Sequence, residues 1–556
     1  MFRYVEEDGR TLFWVSLAVL ALVILVLFQS VRWVILPLAV VVAAIVWTEA
    51  LLVTSRMKLS MVSSMLNSLM TIIGIATVTH VTVRFREHRV SRDRVDALRE
   101  TLIDLAPPVF WTCATTAVGF AALLCSSITP VRSFAIMMAL GTMMVLVSAA
   151  AVLPGGILLG RWGTDPHQAP AEPLLGNILS TAMGWVEQRP RVLAGGAVAV
   201  VVLSAAGLSR LKVETDFSRN FRESSSIIRA LNFVEQKLGG AGTWEINFSA
   251  PKSLSEEYLD QLRTAAKDLR KLESQGPKGI RKVVCLTDGL DLIPTIPFIS
   301  SSLEKKRELL RDLQPDFEPS LYAAEAGRMR IVLRASERQQ ATSKHELIDR
   351  AVATVRQTFP DAKATGLFVL LTFLIESLLR DQLLSFLLAA TGIGLMMSVA
   401  FRSVRIGLIS LVPNLFPIVL VVGTMGWIGL PINIATAMIA SVSMGLTVDS
   451  SIHYLTSYRR SRRAGFGVIE ALHRTHASVG RALVFANLAL IVGFSVLTLS
   501  HFIPLVYFGI LVSVAMLGGL LGNLLLLPLL LAWLERPPEH KAERKTTTAT
   551  ADWRPS

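Results

Sequence analysis

The segment Gly445-Leu-Thr-Val-Asp-Ser-Ser-Ile-His-Tyr454 lies within a long apolar stretch and is followed by an arginine-rich run. An ionised aspartate at the centre of a membrane helix costs roughly 2.5–3.5 kcal/mol on insertion scales. Asp449 and His453 are four residues apart, so a helix places them on one face. The segment therefore predicts a membrane helix with a polar site inside a bundle.

The overall composition supports a membrane protein. Of 556 residues, 52% are hydrophobic and 17% are charged, whereas soluble domains average about 25% charged. The net charge of +13 comes largely from arginines beside apolar runs, as the positive-inside rule predicts, so we expect no nucleic-acid binding. The cysteines and histidines form no metal-binding spacing, and no nucleotide-binding loop occurs. We expect no metal, no cofactor and no enzymatic activity.

Eleven segments are predicted to span the membrane, each with about 20 mostly apolar residues. They are 12–28, 33–53, 61–83, 108–127, 132–160, 190–208, 382–401, 405–429, 434–456, 479–500 and 505–533. Region 210–381 is polar instead. It has alternating strand-like runs at 244–249 and 329–334, with helical patterns at 253–274 and 342–359. We predict one α+β domain outside the bilayer.

We expect the chain to lie in the inner (plasma) membrane, and the distribution of its arginines predicts which way it is oriented there. The arginines are concentrated in the segments after the third and ninth spans, at 84–100 and 459–481, which we expect to be cytoplasmic. Counting spans from there places 210–381 and the N-terminus outside and the C-terminus in the cytoplasm. The polar tail is predicted to be disordered.

An internal repeat relates the two halves of the chain. Phe28-Gln-Ser-Val-Arg32 matches Phe401-Arg-Ser-Val-Arg405 at an offset of 373 residues, and the same offset places His80 on His453. After one inserted residue the offset becomes 374, and Gly119 then falls on Gly493. Both halves run in the same direction, so this is a parallel repeat of the kind found in transporters.

The repeat predicts two five-helix blocks and a lead helix. The predicted regions are a first membrane block at 1–160, a cytoplasmic linker at 161–189, a lead helix at 190–209, an outside domain at 210–381, a second block at 382–535 and a cytoplasmic tail at 536–556. The second block is preceded by a helix and an outside domain. By symmetry, we expect a complete form to have the same two elements before the first block.

These features together resemble the resistance-nodulation-division (RND) superfamily, and specifically its MMPL-like, hydrophobe-exporter branch, whose block is also called a sterol-sensing domain. That branch has glycine, aspartate and histidine at four-residue intervals in its central helix, followed by an aromatic-arginine pair. Gly445, Asp449, His453 and Tyr458-Arg459 match it. The first copy has Ala76 in place of the aspartate. The resemblance implies porter-like βαβ-type folding of the outside domain.

The resemblance also implies that the two central helices face each other and that ionisable groups there relay protons. An alternative is that Asp449 is a buried polar group satisfied by a neighbour, and that either histidine lies in the lipid headgroup region. Glu49 has the alternative of lining a helix interface. The candidate residues are Asp449, His453 and His80 for the relay, and Thr77, Ser450 and Glu49 as polar groups of the bundle core.

We therefore expect a proton-driven export permease for a hydrophobic or amphiphilic, lipid-like substrate. The expected partners are that substrate, membrane lipids, protons as coupling ion, and a second copy or accessory envelope proteins. The rival hypothesis is a non-transporting, sterol-sensing-type lipid-binding or regulatory protein, or an inactive truncated or split-gene transporter. The loss of an aspartate at Ala76 favours the rival.

Overall fold

The computed structural model describes residues 2–57, 66–160, 165–166, 172–211, 217–272, 279–294, 302–339 and 341–535. The predicted tail and most of segment 161–171 lie outside the described residues. The first-block helices are α1 (Phe2–Phe28), α2 (Val31–Thr54), α3 (Leu66–Arg89), α4 (Arg94–Ala121) and α5 (Thr129–Leu158). They are followed by α6 (Glu172–Gln188) and α7 (Pro190–Leu208).

The region between the lead helix and the second block folds as a sheet covered by helices. Its elements are α8 (Ser226–Lys237), β1 (Gly242–Ser249), α9 (Glu256–Lys271), β2 (Ile280–Val284), α10 (Leu286–Asp291), α11 (Leu303–Leu313), α12 (Phe317–Leu321), β3 (Tyr322–Ala323), β4 (Arg328–Ala335), α13 (Ala341–Arg356) and β5 (Lys363–Thr365). The predicted strands and helices of this sheet domain are confirmed within a few residues.

The sheet has the order β2–β4–β1–β5, and every strand pair is antiparallel. The short strand β3 pairs with Arg328 and Met329 at the start of β4. A β-α-β-β-α-β chain in this order is ferredoxin-like. Alternate residues of β1 are buried because one face of the sheet packs on helices. Trp244, Ile246 and Phe248 are opposite Leu333, Ile331 and Met329 of β4, and these six form the centre of the domain core.

The second block repeats the first. It contains α14 (Leu367–Ala400), α15 (Val404–Ile428), α16 (Ile434–Arg463), α17 (Val468–Val496), α18 (Ile503–Leu521) and α19 (Leu527–Glu535), with a π turn at Gly522–Leu526. Gln29 and Arg402 are related by the repeat, and both have a φ of 48°, a left-handed conformation rare for residues other than glycine. The duplicated Phe-x-Ser-Val-Arg motif therefore makes the same turn twice.

Ten helices among the described residues are long and apolar enough to cross a membrane, one fewer than predicted. The missing span is 434–456, which lies in α16. Its aspartate, histidine and hydroxyl groups reduce its apolar character. Residues 436–455 are nevertheless buried almost throughout, so α16 contacts protein rather than lipid. Polar side chains are tolerated in a membrane protein where they face the bundle interior.

The start of α1 lies at the same end of the bundle as the sheet domain. Asp8 is buried and accepts a hydrogen bond from the backbone N–H of His501, in the loop between α17 and α18. The next residue of that loop, Phe502, makes a β-bridge to Phe221 at the base of the sheet domain. The opposite end carries the arginines of α3, α4, α16 and α17, and we call it the arginine-rich face.

Candidate functional site

The two central helices, α3 and α16, bring three ionisable side chains together in the membrane bundle. Nε2 of His80 lies 3.4 Å from Oδ2 of Asp449, and Nε2 of His453 lies 3.3 Å from Oδ1. The side chains of the histidines are 2% and 5% exposed, and that of Asp449 is 14% exposed. One carboxylate from the second block therefore contacts one histidine from each block. We call these three residues the triad.

The two imidazole rings of the triad are stacked. Their centroids are 4.1 Å apart and their planes differ by 7°. Because His80 and His453 occupy equivalent repeat positions, the stack lies where the axis relating the blocks passes between α3 and α16. Both histidines are buried among helices. The alternative that either lies at the depth of the lipid headgroups stays a prediction.

The same three side chains offer ligand atoms within 4.8 Å of one another, close enough in distance for a metal ion. The ring orientation argues against a metal. An imidazole nitrogen binds a metal through a lone pair that lies in the ring plane, and the planes of two nearly parallel stacked rings do not meet between them. The arrangement suits a shared proton, because the carboxylate presents a separate oxygen to each imidazole nitrogen.

The polar candidates near the triad have other partners. Thr77 is buried and donates to the carbonyl of Ile73 in its own helix. Ser450 is buried and accepts from the side-chain amide of Asn487 at 3.0 Å. Ser450 thus contacts Asn487, whereas Asp449 contacts the two histidines.

Glu49 does not belong to the bundle core. It is exposed on α2 and accepts a hydrogen bond of 3.0 Å from the amide of Asn67 on α3. The alternative that Glu49 lines a helix interface fits this contact.

Sequence reasoning missed a buried network beside the triad. The amide of Asn414 on α15 donates to Ser451 at 2.9 Å, and Ser451 donates to Oδ1 of Asn523 at 2.6 Å. Asn523 lies in the π turn, a feature that is frequent at functional sites. Further along α16, Tyr454 contacts Nδ1 of His476 at 2.8 Å. These contacts join α16 to α15, α17 and the π turn.

The network is confined to the second block. A comparison of the two repeats, at offsets of 373 and then 374 residues, shows that the polar residues around the triad have less polar counterparts in the first block. The pairs, first block before second, are Val41 and Asn414, Ala76 and Asp449, Val78 and Ser451, Val81 and Tyr454, Phe85 and Tyr458, Leu102 and His476, Cys113 and Asn487, and Ala149 and Asn523. In every pair the second block has the more polar side chain.

The blocks also meet through two unequal helix contacts. A Cβ added to Gly119 of α4 would lie 2.8 Å from the Cα of Gly445, so these backbones touch, and Thr116 donates to the carbonyl of Gly445. At the equivalent contact, Gly493 of α17 faces the side chain of Ile72 on α3. The closer contact is the one on the aspartate side, one helical turn from Asp449.

Three comparisons with known proteins agree with this architecture. The MMPL family model matches residues 1–193 and 259–556. The curated membrane protein MJ1562 of Methanocaldococcus jannaschii is 21% identical over 371 residues, covering 65% of this chain and 95% of that protein. The crystal structure of SecDF, a translocon-associated membrane protein from Thermus thermophilus, matches 95% of this chain with a TM-score of 0.55 and 16% identity.

The chain spans 62% of the length of that SecDF structure, and at 16% identity the likeness shows the fold alone. The family model, by contrast, covers most of the chain and confirms the resemblance carried by the central-helix motif. The protein is a polytopic, transporter-like membrane protein that belongs to the MMPL family.

Proposed function

We propose that this protein is an export permease driven by the proton gradient across an inner or plasma membrane, and that it moves a hydrophobic or amphiphilic, lipid-like substrate. The observation that carries the proposal is the triad, in which a carboxylate of one block is held between histidines of both blocks. A group that changes charge at the contact between two rocking halves couples protonation to their relative position.

The stacked rings limit the charge that the triad holds in this conformation. Two imidazolium ions 4.1 Å apart repel by about 4 kcal/mol at an effective dielectric of about 20. One charged ring, one neutral ring and the carboxylate give a neutral site without that repulsion. A second proton favours separation of His80 from His453, and loss of the first leaves a buried carboxylate unpaired. Either change in protonation therefore favours movement of one block against the other.

The direction of transport follows from the orientation that we propose, in which the arginine-rich face is cytoplasmic and the sheet domain is outside. Protons that enter from the outer side and leave at the arginine-rich face would release energy for export. A lipid-like substrate is in keeping with the many large apolar side chains that the membrane helices expose.

The test is Asp449→Asn, which keeps the size and hydrogen-bonding ability of the side chain but removes its titration. We expect loss of export of a fluorescent amphiphile across an imposed pH gradient, at an unchanged level of protein in the same membranes. A neutral amide is also less costly than a carboxylate in hydrocarbon, so folding should not suffer. Export by the asparagine variant at the wild-type rate would refute the proposal.

A second candidate is a lipid-binding or regulatory protein of the sterol-sensing type that transports nothing. The observation that favours it is Ala76, which leaves the first block without a carboxylate at the position equivalent to Asp449. This candidate predicts that Asp449→Asn is harmless and that Asp449→Leu is damaging, because leucine leaves two buried histidines without a partner. The pair of substitutions therefore separates the two functions.

A further inference from the structure

Two largely buried carboxylates bridge the blocks at the arginine-rich face. Asp104 of α4 binds Arg84 of α3 at 2.5 Å and Arg460 of α16 at 2.7 Å. Glu172 of α6 binds Arg86 of α3 at 2.6 Å and Arg481 of α17 at 2.7 Å. We call them the Asp104 clasp and the Glu172 clasp. Each holds one arginine from the first block and one from the second.

One repeat position beside the two clasps carries opposite charges in the two blocks. Arg460 of α16 and Glu87 of α3 occupy the same repeat position. Arg460 binds an acid on α4, whereas Glu87 lies 3.9 Å from Arg481 on α17, the equivalent of α4. The junction between α4 and α16 and the equivalent junction between α17 and α3 are therefore each joined by an ion pair. The sequence comparison shows only that Arg460 aligns with Glu87. It does not show that each of them makes an ion pair with a helix of the other block.

The clasps lie directly beyond the triad. Arg84 follows His80 by four residues and Arg460 follows His453 by seven, which correspond to roughly 6 and 10 Å along a helix. His88 of α3 also contacts Asp104, at 3.1 Å. A layer of ion pairs thus separates the triad from the aqueous side at this face.

Each clasp is built to open at low cost. When the blocks move apart, Asp104 keeps Arg84 of its own block. Glu172 keeps Arg481, because α6 packs against α17 through Leu179, which contacts Gly480. Neither carboxylate is then left as a lone desolvated charge, which would be strongly unfavourable. The arginines that leave are Arg460, which is 45% exposed, and Arg86, which is 11% exposed.

We propose that the two clasps form a gate that closes the triad to the arginine-rich face in this conformation, and that their opening admits water to the triad from that side. This gate rests on the proposed function for its purpose, since it controls when the triad exchanges protons. Its existence is testable without export, by the accessibility of the segment between triad and clasps.

Ser457 is the reporter position. It is half-buried on α16, four residues beyond His453 and three before Arg460. In a chain whose three native cysteines are replaced, Ser457→Cys is labelled with an impermeant thiol reagent from the arginine-rich side, in vesicles of each orientation. Ser461→Cys, one turn further out, is the control for access of the reagent to this face.

Neutralising the two arginines whose clasp ion pairs cross between the blocks, with Arg460→Gln and Arg86→Gln together, should speed the labelling of position 457 about tenfold (~1.4 kcal/mol) and leave position 461 unchanged. The matched control is Arg474→Gln, which removes an ion pair within α17 alone, to Glu470 at 3.2 Å. Arg460→Lys, which keeps the charge, should label as the unmodified protein does. These two variants show whether faster labelling of position 457 results from a general loss of structure rather than from loss of the ion pairs between the blocks.

An unchanged rate at position 457 in the double variant would overturn the gate, whatever Asp449→Asn does to export. An equal rise with Arg474→Gln would overturn it too, because that ion pair joins no two blocks. The pH gradient tests the proposed function separately. A rise in the double variant, with no response of position 457 to an imposed gradient in the unmodified protein, supports the gate and counts against proton coupling.

Discussion

In the first block, α3 presents Ile72, Ala76 and His80 at four-residue intervals towards the other block. In the second, α16 presents Gly445, Asp449 and His453 at the same positions. The histidines are shared, but the carboxylate and the polar network behind it occur only in the second block. Both blocks otherwise repeat their turns, helix order and terminal arginines.

The difference shows which parts of a duplicated bundle can diverge. A second aspartate at position 76 would add roughly 2.5–3.5 kcal/mol of insertion cost and a second negative charge beside the first. One carboxylate between two histidines already provides a site that changes charge. The polar contacts of Asn414, Ser451 and Asn523 hold α16 against its own block, where α3 relies on apolar packing.

The largest expected effect comes from moving the carboxylate from position 449 on α16 to the equivalent position 76 on α3. Asp449→Ala should abolish export, and adding Ala76→Asp should restore at least about a tenth of it, because the new carboxylate lies four residues before His80 as Asp449 lies before His453. The measurement is the same amphiphile export at matched protein levels. Ala76→Ser in the Asp449→Ala background is the control and should restore nothing.

Failure of Ala76→Asp to restore any export would show that a titratable group between the histidines is not sufficient. In that case the second-block network would be an essential part of the site. Restoration to the full wild-type rate would show the reverse, that the blocks are interchangeable and the network serves only packing.

Much of the fold followed from the sequence because its causes are local. Hydropathy identified ten of the spans, and alternation identified β1 and β4. The repeat offset alone pairs His80 with His453, and the two rings are in contact. The span at 434–456 is the instructive exception, since burial within the bundle lets α16 carry polar groups that a lipid-facing helix could not.

The network beside the triad could not be predicted in the same way. Asn414 and Asn523 each stand in an apolar run, and they lie 37 and 72 residues from Ser451, their common partner. The clasps have the same property, because Asp104 and Arg460 are separated by 356 residues. Only the packing of helices shows which of many arginines meets which acid.

A smaller effect is expected at the two glycine contacts. Gly119→Ala places a Cβ 2.8 Å from the Cα of Gly445, where backbone must move, and should reduce the free energy of unfolding by about 1–3 kcal/mol. Gly493→Ala meets only the side chain of Ile72, which can change rotamer, and should cost about 1 kcal/mol or less. Thermal unfolding of the purified protein in detergent compares the two.

Gly155→Ala is the control for these variants, because a Cβ there would have no neighbour within 4 Å. It should leave stability unchanged or raise it slightly, since alanine favours the helix. Equal losses for the variants at positions 119 and 493 would contradict the view that the aspartate side has the tighter junction.

The smallest expected effect is on stability and concerns Arg32 and Arg405, which occupy the same position in the two repeats but make different contacts. Arg32 is buried and donates to three carbonyls at the end of α5, those of Gly156, Ile157 and Leu159, at 2.7, 2.8 and 2.5 Å. Arg405 is exposed and donates to one, that of Leu534 at the end of α19. Both place a cation at the negative end of a helix, where the last carbonyls lack partners within the helix.

Lysine keeps the charge at either position but has a shorter side chain that ends in a single ammonium. Arg32→Lys should therefore cost about 1 kcal/mol, because the ammonium does not reach the point from which Nη2 of Arg32 contacts the three carbonyls. Arg405→Lys should change stability by no more than about 0.5 kcal/mol, because water can satisfy the exposed carbonyl. Thermal unfolding in detergent again provides the comparison. If both lysine variants unfold at the wild-type temperature, the contribution of these arginines is charge alone, and the extra bonds of Arg32 add nothing to the stability of the first block.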